Sequence, residues 1–137
     1  MRILVAFLAV SLTACATSPV AINQASPVPS SRILAPQYLE QTQYTGSLVI
    51  KRDGGFMGSA CDIRVFLGAV PVADLAPSEK VELFVPLGEY IVAAISRSSF
   101  CGGGVSEAAV VISPERQRIL RIASGQSGDI HIQPSAF

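Results

Sequence analysis

From Gly46 onward, hydrophobic and polar residues alternate in short runs separated by turn-forming residues. Over residues 46–52, Leu48 and Ile50 share one face, and Asp53-Gly54-Gly55 turns the chain. Residues 60–67 place Cys61, Ile63, Val65 and Leu67 inward and Asp62 and Arg64 outward, the period-two signature of a half-buried strand. Gly68-Ala69 turns into a short segment over 70–75, and residues 80–85 then bury Val81, Leu83 and Val85 and expose Glu82. Pro86-Leu87-Gly88 leads into residues 89–97, which are apolar on both faces, as in a central strand. Residues 104–112 and 116–123 follow, split by Ser113-Pro114-Glu115, and 128–133 closes the series with Ile130 and Ile132 inward and His131 outward. All eleven glycines lie at or after Gly46, and no segment keeps a long helical period. Seven to eight short strands at roughly ten-residue spacing predict an all-β domain over 44–137, a small antiparallel β-sandwich or barrel.

The first forty-odd residues follow a different pattern. Met1-Arg2 precedes an apolar-to-small run over residues 3–14. As a helix these twelve residues would span about 18 Å, too short for a ~30 Å hydrocarbon core, so a cleaved export signal fits better than a membrane span. The run ends in Leu12-Thr13-Ala14-Cys15, which resembles the lipobox of bacterial lipoproteins. That resemblance implies a signal peptide over 1–14 and a Cys15 that is acylated and becomes the mature N-terminus. Three acyl chains would make the membrane attachment effectively permanent, because two already give stable anchoring. Ala16, where enteric lipoproteins retained in the inner membrane carry Asp, implies an outer-membrane anchor facing the periplasm.

Residues 15–31 hold Pro19, Pro27 and Pro29 with Ser18, Ser26, Ser30 and Ser31, and no charge. This composition predicts an extended, partly polyproline tether that holds the domain clear of the lipid headgroups. In residues 32–43, Leu34, Tyr38 and Leu39 have helical spacing but Pro36 interrupts it, leaving a lead-in with at most one helical turn.

The central stretch carries a second resemblance. Asp62-Ile63-Arg64-Val65-Phe66-Leu67-Gly68 is followed by Val72-Ala73-Asp74-Leu75. Then comes Glu79-Lys80-Val81-Glu82-Leu83-Phe84-Val85-Pro86-Leu87-Gly88-Glu89-Tyr90. This succession of strand, small turn, returning strand and V-x-L-x-V-P-x-G-x-Y resembles PEGA-like and related lipoprotein domains. The resemblance implies a prealbumin-like, carboxypeptidase-regulatory-like β-sandwich and an envelope module with no shared catalytic residues.

Charge and chemistry refine this picture only slightly. Ten basic and ten acidic residues balance, and loss of Arg2 with the leader leaves one acidic charge in excess, so no basic surplus points to nucleic acid. Of the three cysteines, lipidation would consume Cys15, leaving Cys61 and Cys101 as an even pair in an exported chain, where a disulfide is expected. Two thiols and one histidine are too few ligands for zinc or an iron–sulfur cluster, so no cofactor or metal is expected. Two glycine-rich stretches are the best candidates for binding. One is Asp53-Gly54-Gly55-Phe56-Met57-Gly58; the other is Ser99-Phe100-Cys101-Gly102-Gly103-Gly104, preceded by Ser98. Such loops bring backbone N–H groups close to a ligand, though no Lys follows as in a phosphate loop. A disulfide between Cys61 and Cys101 would gather both stretches into a single contact surface. His131, the one histidine, reads as a solvated surface residue with no serine motif beside it, and Glu107 and Glu115 as members of charged strand faces that could pair with Arg116, Arg118 or Arg121.

These readings give a lipid-anchored envelope protein with a structural or protein-binding role, an expected envelope partner and no catalysis. The alternatives are a ligand-binding or lytic-enzyme-inhibiting module acting through the glycine-rich loops, and a pilotin-like accessory lipoprotein offering a sheet edge to a larger assembly.

Overall fold

The computed structural model describes residues 17–56 and 58–137. The expected leader, Cys15 and Met57 therefore lie outside the described residues. Nine strands are described: β1 (Ser26–Pro27), β2 (Thr45–Arg52), β3 (Ile63–Leu67), β4 (Val70–Leu75), β5 (Glu79–Pro86), β6 (Gly88–Ser96), β7 (Ser106–Ile112), β8 (Arg118–Ser124) and β9 (Ile130–Pro134). They form an all-β sandwich of a five-stranded sheet ordered β1-β5-β2-β8-β9 and a four-stranded sheet ordered β4-β3-β6-β7. Pairing is mostly antiparallel, with two exceptions. β1 runs parallel to β5, and β2 parallel to β8 with Leu48 opposite Arg118 and Arg52 opposite Ile122. A parallel neighbour requires a crossover, and here the chain passes from β2 through β3 and β4 of the other sheet, returns as β5, and crosses again through β6 and β7 before coming back as β8.

The core follows from the alternation. Leu48, Ile50, Val81, Leu83, Val85, Leu120, Ile122, Ile130 and Ile132 of one sheet face Ile63, Val65, Leu67, Val72, Leu75, Val92, Ala94, Val110 and Ile112 of the other. Each such Val, Leu or Ile side chain stabilises the fold by about 1.5–3 kcal/mol on full burial. Among the described residues this core is wholly aliphatic; Tyr38 and Tyr90 only pack against its margin. β6 departs from expectation. It lies inside its sheet, between β3 and β7, but Ile91 is 48 % exposed while Val92 and Ala94 are buried. Pairing on both edges is therefore not matched by cover on both faces.

The largest difference concerns residues 17–43, read from composition as a free tether and lead-in. Their described part belongs to the domain. Ser18 pairs with Gly54, β1 pairs with β5, and Ile33 bridges to Ala73 at the edge of β4. Ala25, Val28 and Ala35 are buried. Arg32 grips the Glu79 carboxylate with both guanidinium nitrogens and donates to the Asp74 carbonyl at 3.1 Å. The segment thus runs from the β5 edge of one sheet to the β4 edge of the other and covers both. Exposed edges are templates for unwanted pairing, and a proline-containing strand is well suited to an edge because it leaves few donors unmatched. Further upstream it lies over the outer face of the five-stranded sheet, where Lys51 is fully buried and donates to the Val20 carbonyl. Lys80 donates to the Ile22 carbonyl in the same way.

Candidate functional site

Loops from both sheets converge at the end of the sandwich where β2 finishes and β3 begins. Cys61, just before β3, is bonded to Cys101, just after β6, with their Cα atoms 6.3 Å apart. Because β3 and β6 are antiparallel neighbours with Ile63 opposite Ser96, both cysteines emerge at the same end of one sheet. The bridge ties the 53–62 loop to the 97–105 loop. A third turn, over residues 125–128, joins them: an added Cβ on Gly103 would lie 2.9 Å from the Gly128 carbonyl oxygen, and one on Gly128 would lie 3.1 Å from that of Cys101. Gly102 and Gly103 have φ of 65° and 76°, a left-handed conformation that favours glycine. Gly103, the middle residue of the triple glycine, is therefore folded against a neighbour.

Arg52 closes this end from inside. Period two places it inward after Leu48 and Ile50, and its guanidinium donates to the carbonyls of Gly58 at 2.7 Å, Cys61 at 2.8 Å and Leu75 at 2.8 Å. It thereby shapes the 53–62 loop and ties it to β4. Burial pulls its pKa below the ordinary value. No binding role was assigned to Arg52 from sequence, although a charged residue in the buried phase of a strand was a legible sign of such a brace.

Asp53 faces the other way, onto the outer face of the five-stranded sheet. It is buried and paired with Arg121 through Nε at 2.8 Å and Nη2 at 2.6 Å. The hydrogen bond to Asp53 raises the Arg121 pKa, against a smaller lowering by burial. Thr17 completes the cluster: its hydroxyl accepts from the Ser124 N–H at 3.2 Å and lies 3.2 Å from the Ser124 carbonyl and 3.4 Å from Asp53 Oδ2. Two backbone bonds between Ser18 and Gly54, at 2.9 and 3.0 Å, fix the next residue.

The expected contact surface is accordingly divided. Asp53 and Gly54 are buried and serve as scaffold; Gly55, Phe56, Ser99, Phe100, Gly102, Gly103 and Gly104 are exposed. Phe56 and Phe100 are 84 % and 96 % exposed. They line one open hollow of about 380 Å³ with Gly58, Ser59, Ala60, Cys101, Gln126, Ser127 and Gly128. The Gln126–Gly128 part was not anticipated, because the parity of the flanking strands says nothing about which turns will meet.

Other candidates fall elsewhere. His131 contacts the Asp129 carboxylate, whose other oxygen accepts from Ser127 Oγ at 2.6 Å. These bonds, Ser127 first and then His131, hold the Asp129 carboxyl below the usual carboxylate range. With the acid bonded to both the hydroxyl and the imidazole, this trio lacks the serine-to-histidine link that activates a nucleophile. The pairings considered for Glu107 and Glu115 are not formed among the described residues: Arg121 pairs with Asp53, and Arg118 donates to the Val111 carbonyl. A separate apolar patch occupies the uncovered outer face of the four-stranded sheet, where Ile91 lies opposite Ala109 and Glu89 opposite Val111. Among the described residues, no group of three or more His, Cys, Asp or Glu is placed to hold a metal, and no helix is long and apolar enough to cross a membrane.

No family model, no curated protein and no solved structure matches the chain.

Proposed function

We propose that this chain is a bacterial lipoprotein, acylated at Cys15, anchored in the outer membrane and facing the periplasm, whose β-sandwich acts as a structural or protein-binding module and not as an enzyme. The observation that carries this reading is Leu12-Thr13-Ala14-Cys15 at the end of a twelve-residue apolar run. The Cys61–Cys101 bridge supports it, because structural disulfides persist in oxidising compartments such as the periplasm. The protein-binding part draws on the outer face of the four-stranded sheet, where Ile91 and Val111 are each 48 % exposed beside Ala109 on paired strands. Contiguous exposed apolar surface of this kind marks interaction sites.

The test is crosslinking in intact envelopes with photoreactive side chains at positions 91 and 111, run beside Cys15→Ser. A discrete partner captured from these positions in the lipidated protein, and lost or reduced with Cys15→Ser, supports an accessory component of an outer-membrane assembly. Capture that is unchanged by Cys15→Ser means the domain binds on its own and the lipid only places it. No capture at either position argues against a partner on this face. The second reading, a ligand-binding or enzyme-inhibiting module, rests on the exposed Phe56 and Phe100 around their hollow, and would then take precedence.

A further inference from the structure

We infer that the disulfide-bridged end of the sandwich lies directly on the bilayer, with Phe56 and Phe100 entering its interfacial layer. This rests on the lipoprotein reading and specifies its geometry.

Thr17 is held by Ser124 and faces Asp53, and Ser18 is paired with Gly54 through two backbone bonds. Only two residue steps separate Cys15 from Thr17, which even when fully extended span about 7 Å. The acyl chains of an anchored Cys15 are thus confined to the neighbourhood of the Asp53–Gly54 corner. A free tether of some fifteen residues would have allowed any orientation; a chain fixed at Thr17 does not.

That corner leads into an apolar, uncharged surface. Phe56 lies two residues beyond Gly54, and Phe100 lies across the same hollow. Val105 is 60 % exposed on the loop that carries Phe100. The three converging stretches, residues 54–61, 98–106 and 124–128, contain no Asp, Glu, Lys, Arg or His. Charged groups resist transfer out of water, so a surface without them meets no such penalty on entering the headgroup and upper acyl region. Exposed phenyl rings gain from it. At both ends charged residues flank the loops, Asp53, Asp62, Arg97 and Asp129 here and Glu40, Glu89, Glu115 and Arg116 at the other; Phe56 and Phe100, 84 % and 96 % exposed, mark the bridged end. In this orientation the outer face of the four-stranded sheet stands roughly upright from the membrane and stays open to a periplasmic partner.

The chain contains no tryptophan, so a single introduced one is an unambiguous reporter. The test uses the full-length lipidated protein carrying Phe56→Trp, Phe100→Trp or, as the far-end control, Tyr44→Trp. All three positions are exposed, so the fold is expected to tolerate them. Each protein is reconstituted into phosphatidylethanolamine–phosphatidylglycerol vesicles with or without bromine on the upper acyl carbons, and its acylation is verified by mass. The expected result is a blue shift and an about two-fold loss of emission on brominated lipid for the Phe56 and Phe100 variants, consistent with burial ~5–10 Å into the boundary, and no change for Tyr44→Trp. Equal, weak quenching at all three positions in an acylated protein would overturn this orientation while leaving the lipoprotein reading intact. It would also return the Phe56–Phe100 hollow to the protein-binding or inhibitory alternative. Absence of acylation would overturn both.

Discussion

Gly103 shows how much a single residue decides at the bridged end. Its φ of 76° and the 2.9 Å approach of an added Cβ to the Gly128 carbonyl oxygen leave no room for a side chain. Gly103→Ala should therefore cost about 1–3 kcal/mol in urea unfolding. Gly104→Ala, whose Cβ would meet nothing within 4 Å, should stay within about 0.5 kcal/mol. Equal effects would mean the triple glycine is not held against the 125–128 turn. Lys51 makes a different demand. It is fully buried over the Phe137 ring, and desolvation lowers its pKa, partly opposed by the Asp53 charge. Between that lowered value and the ordinary lysine value of about 10.4, the folded state has released a proton that the unfolded state still holds, so stability rises with pH across this window. Below the window both states are protonated and the contribution is constant. Urea unfolding at stepped alkaline pH should show this rise in the parent protein and not in Lys51→Met. Parallel pH curves would show that the ammonium is as well solvated folded as unfolded. From sequence Gly103 was a candidate for ligand binding and not for packing against a neighbouring turn, and Lys51 was not singled out. A glycine run announces only permissiveness, and Lys51 occupies the solvent phase of its strand, where nothing local reveals that the N-terminal segment covers it.

The strands were largely legible. Period two gave every long strand to within a few residues, and the inward sets of β3, β5 and β9 agree with the observed burial at Ile63, Val65, Leu67, Val81, Leu83, Val85, Ile130 and Ile132. Cys61 is the exception within its run, since it sits half-buried in the loop before β3. What alternation could not supply was order. The parallel β2–β8 pair depends on which strands meet after a long crossover, and the same parities are compatible with a simple meander. The 17–43 segment was misread because its proline and serine content outweighs its few apolar residues. Ala25, Val28 and Ala35 are spaced to touch sheet edges, and a segment that covers edges has no period of its own. Arg52 is the element-scale residue with the clearest consequence. Replacing it with Met would leave the Gly58, Cys61 and Leu75 carbonyls without their shared donor, at a cost on the order of 3 kcal/mol. Exposed Arg116→Ala should cost about 0.5 kcal/mol or less. Urea midpoints at constant m-value decide the matter, and a loss for Arg52→Met no larger than that for Arg116→Ala would remove the brace from the account.

At the scale of the molecule, the fold is two aliphatic sheet faces closed at one end by a covalent bond. The bridge spans 40 residues, so the chain-entropy model assigns it about 4 kcal/mol, of a total that for such domains is about 5–15 kcal/mol. Cys101→Ser should lower the unfolding midpoint by well over ten degrees, roughly 4–8 °C for each kcal/mol lost, and reductant should do the same to the parent protein. An unchanged midpoint would mean that Arg52 and sheet packing hold this end unaided. The bridge, the brace and the contacts of Thr17 with Ser124 all lie at the same end of the sandwich, and Thr17 is two residues after Cys15. Anchoring at this end therefore depends on the chemistry of that cysteine. Mass analysis of the N-terminal peptide of the membrane-extracted protein addresses it most directly. A lipoprotein processed at this position yields a chain that begins at Cys15 and carries a diacylglyceryl thioether and an N-acyl group. An unmodified Cys15, or a peptide that still contains residues 1–14, would contradict the lipoprotein reading.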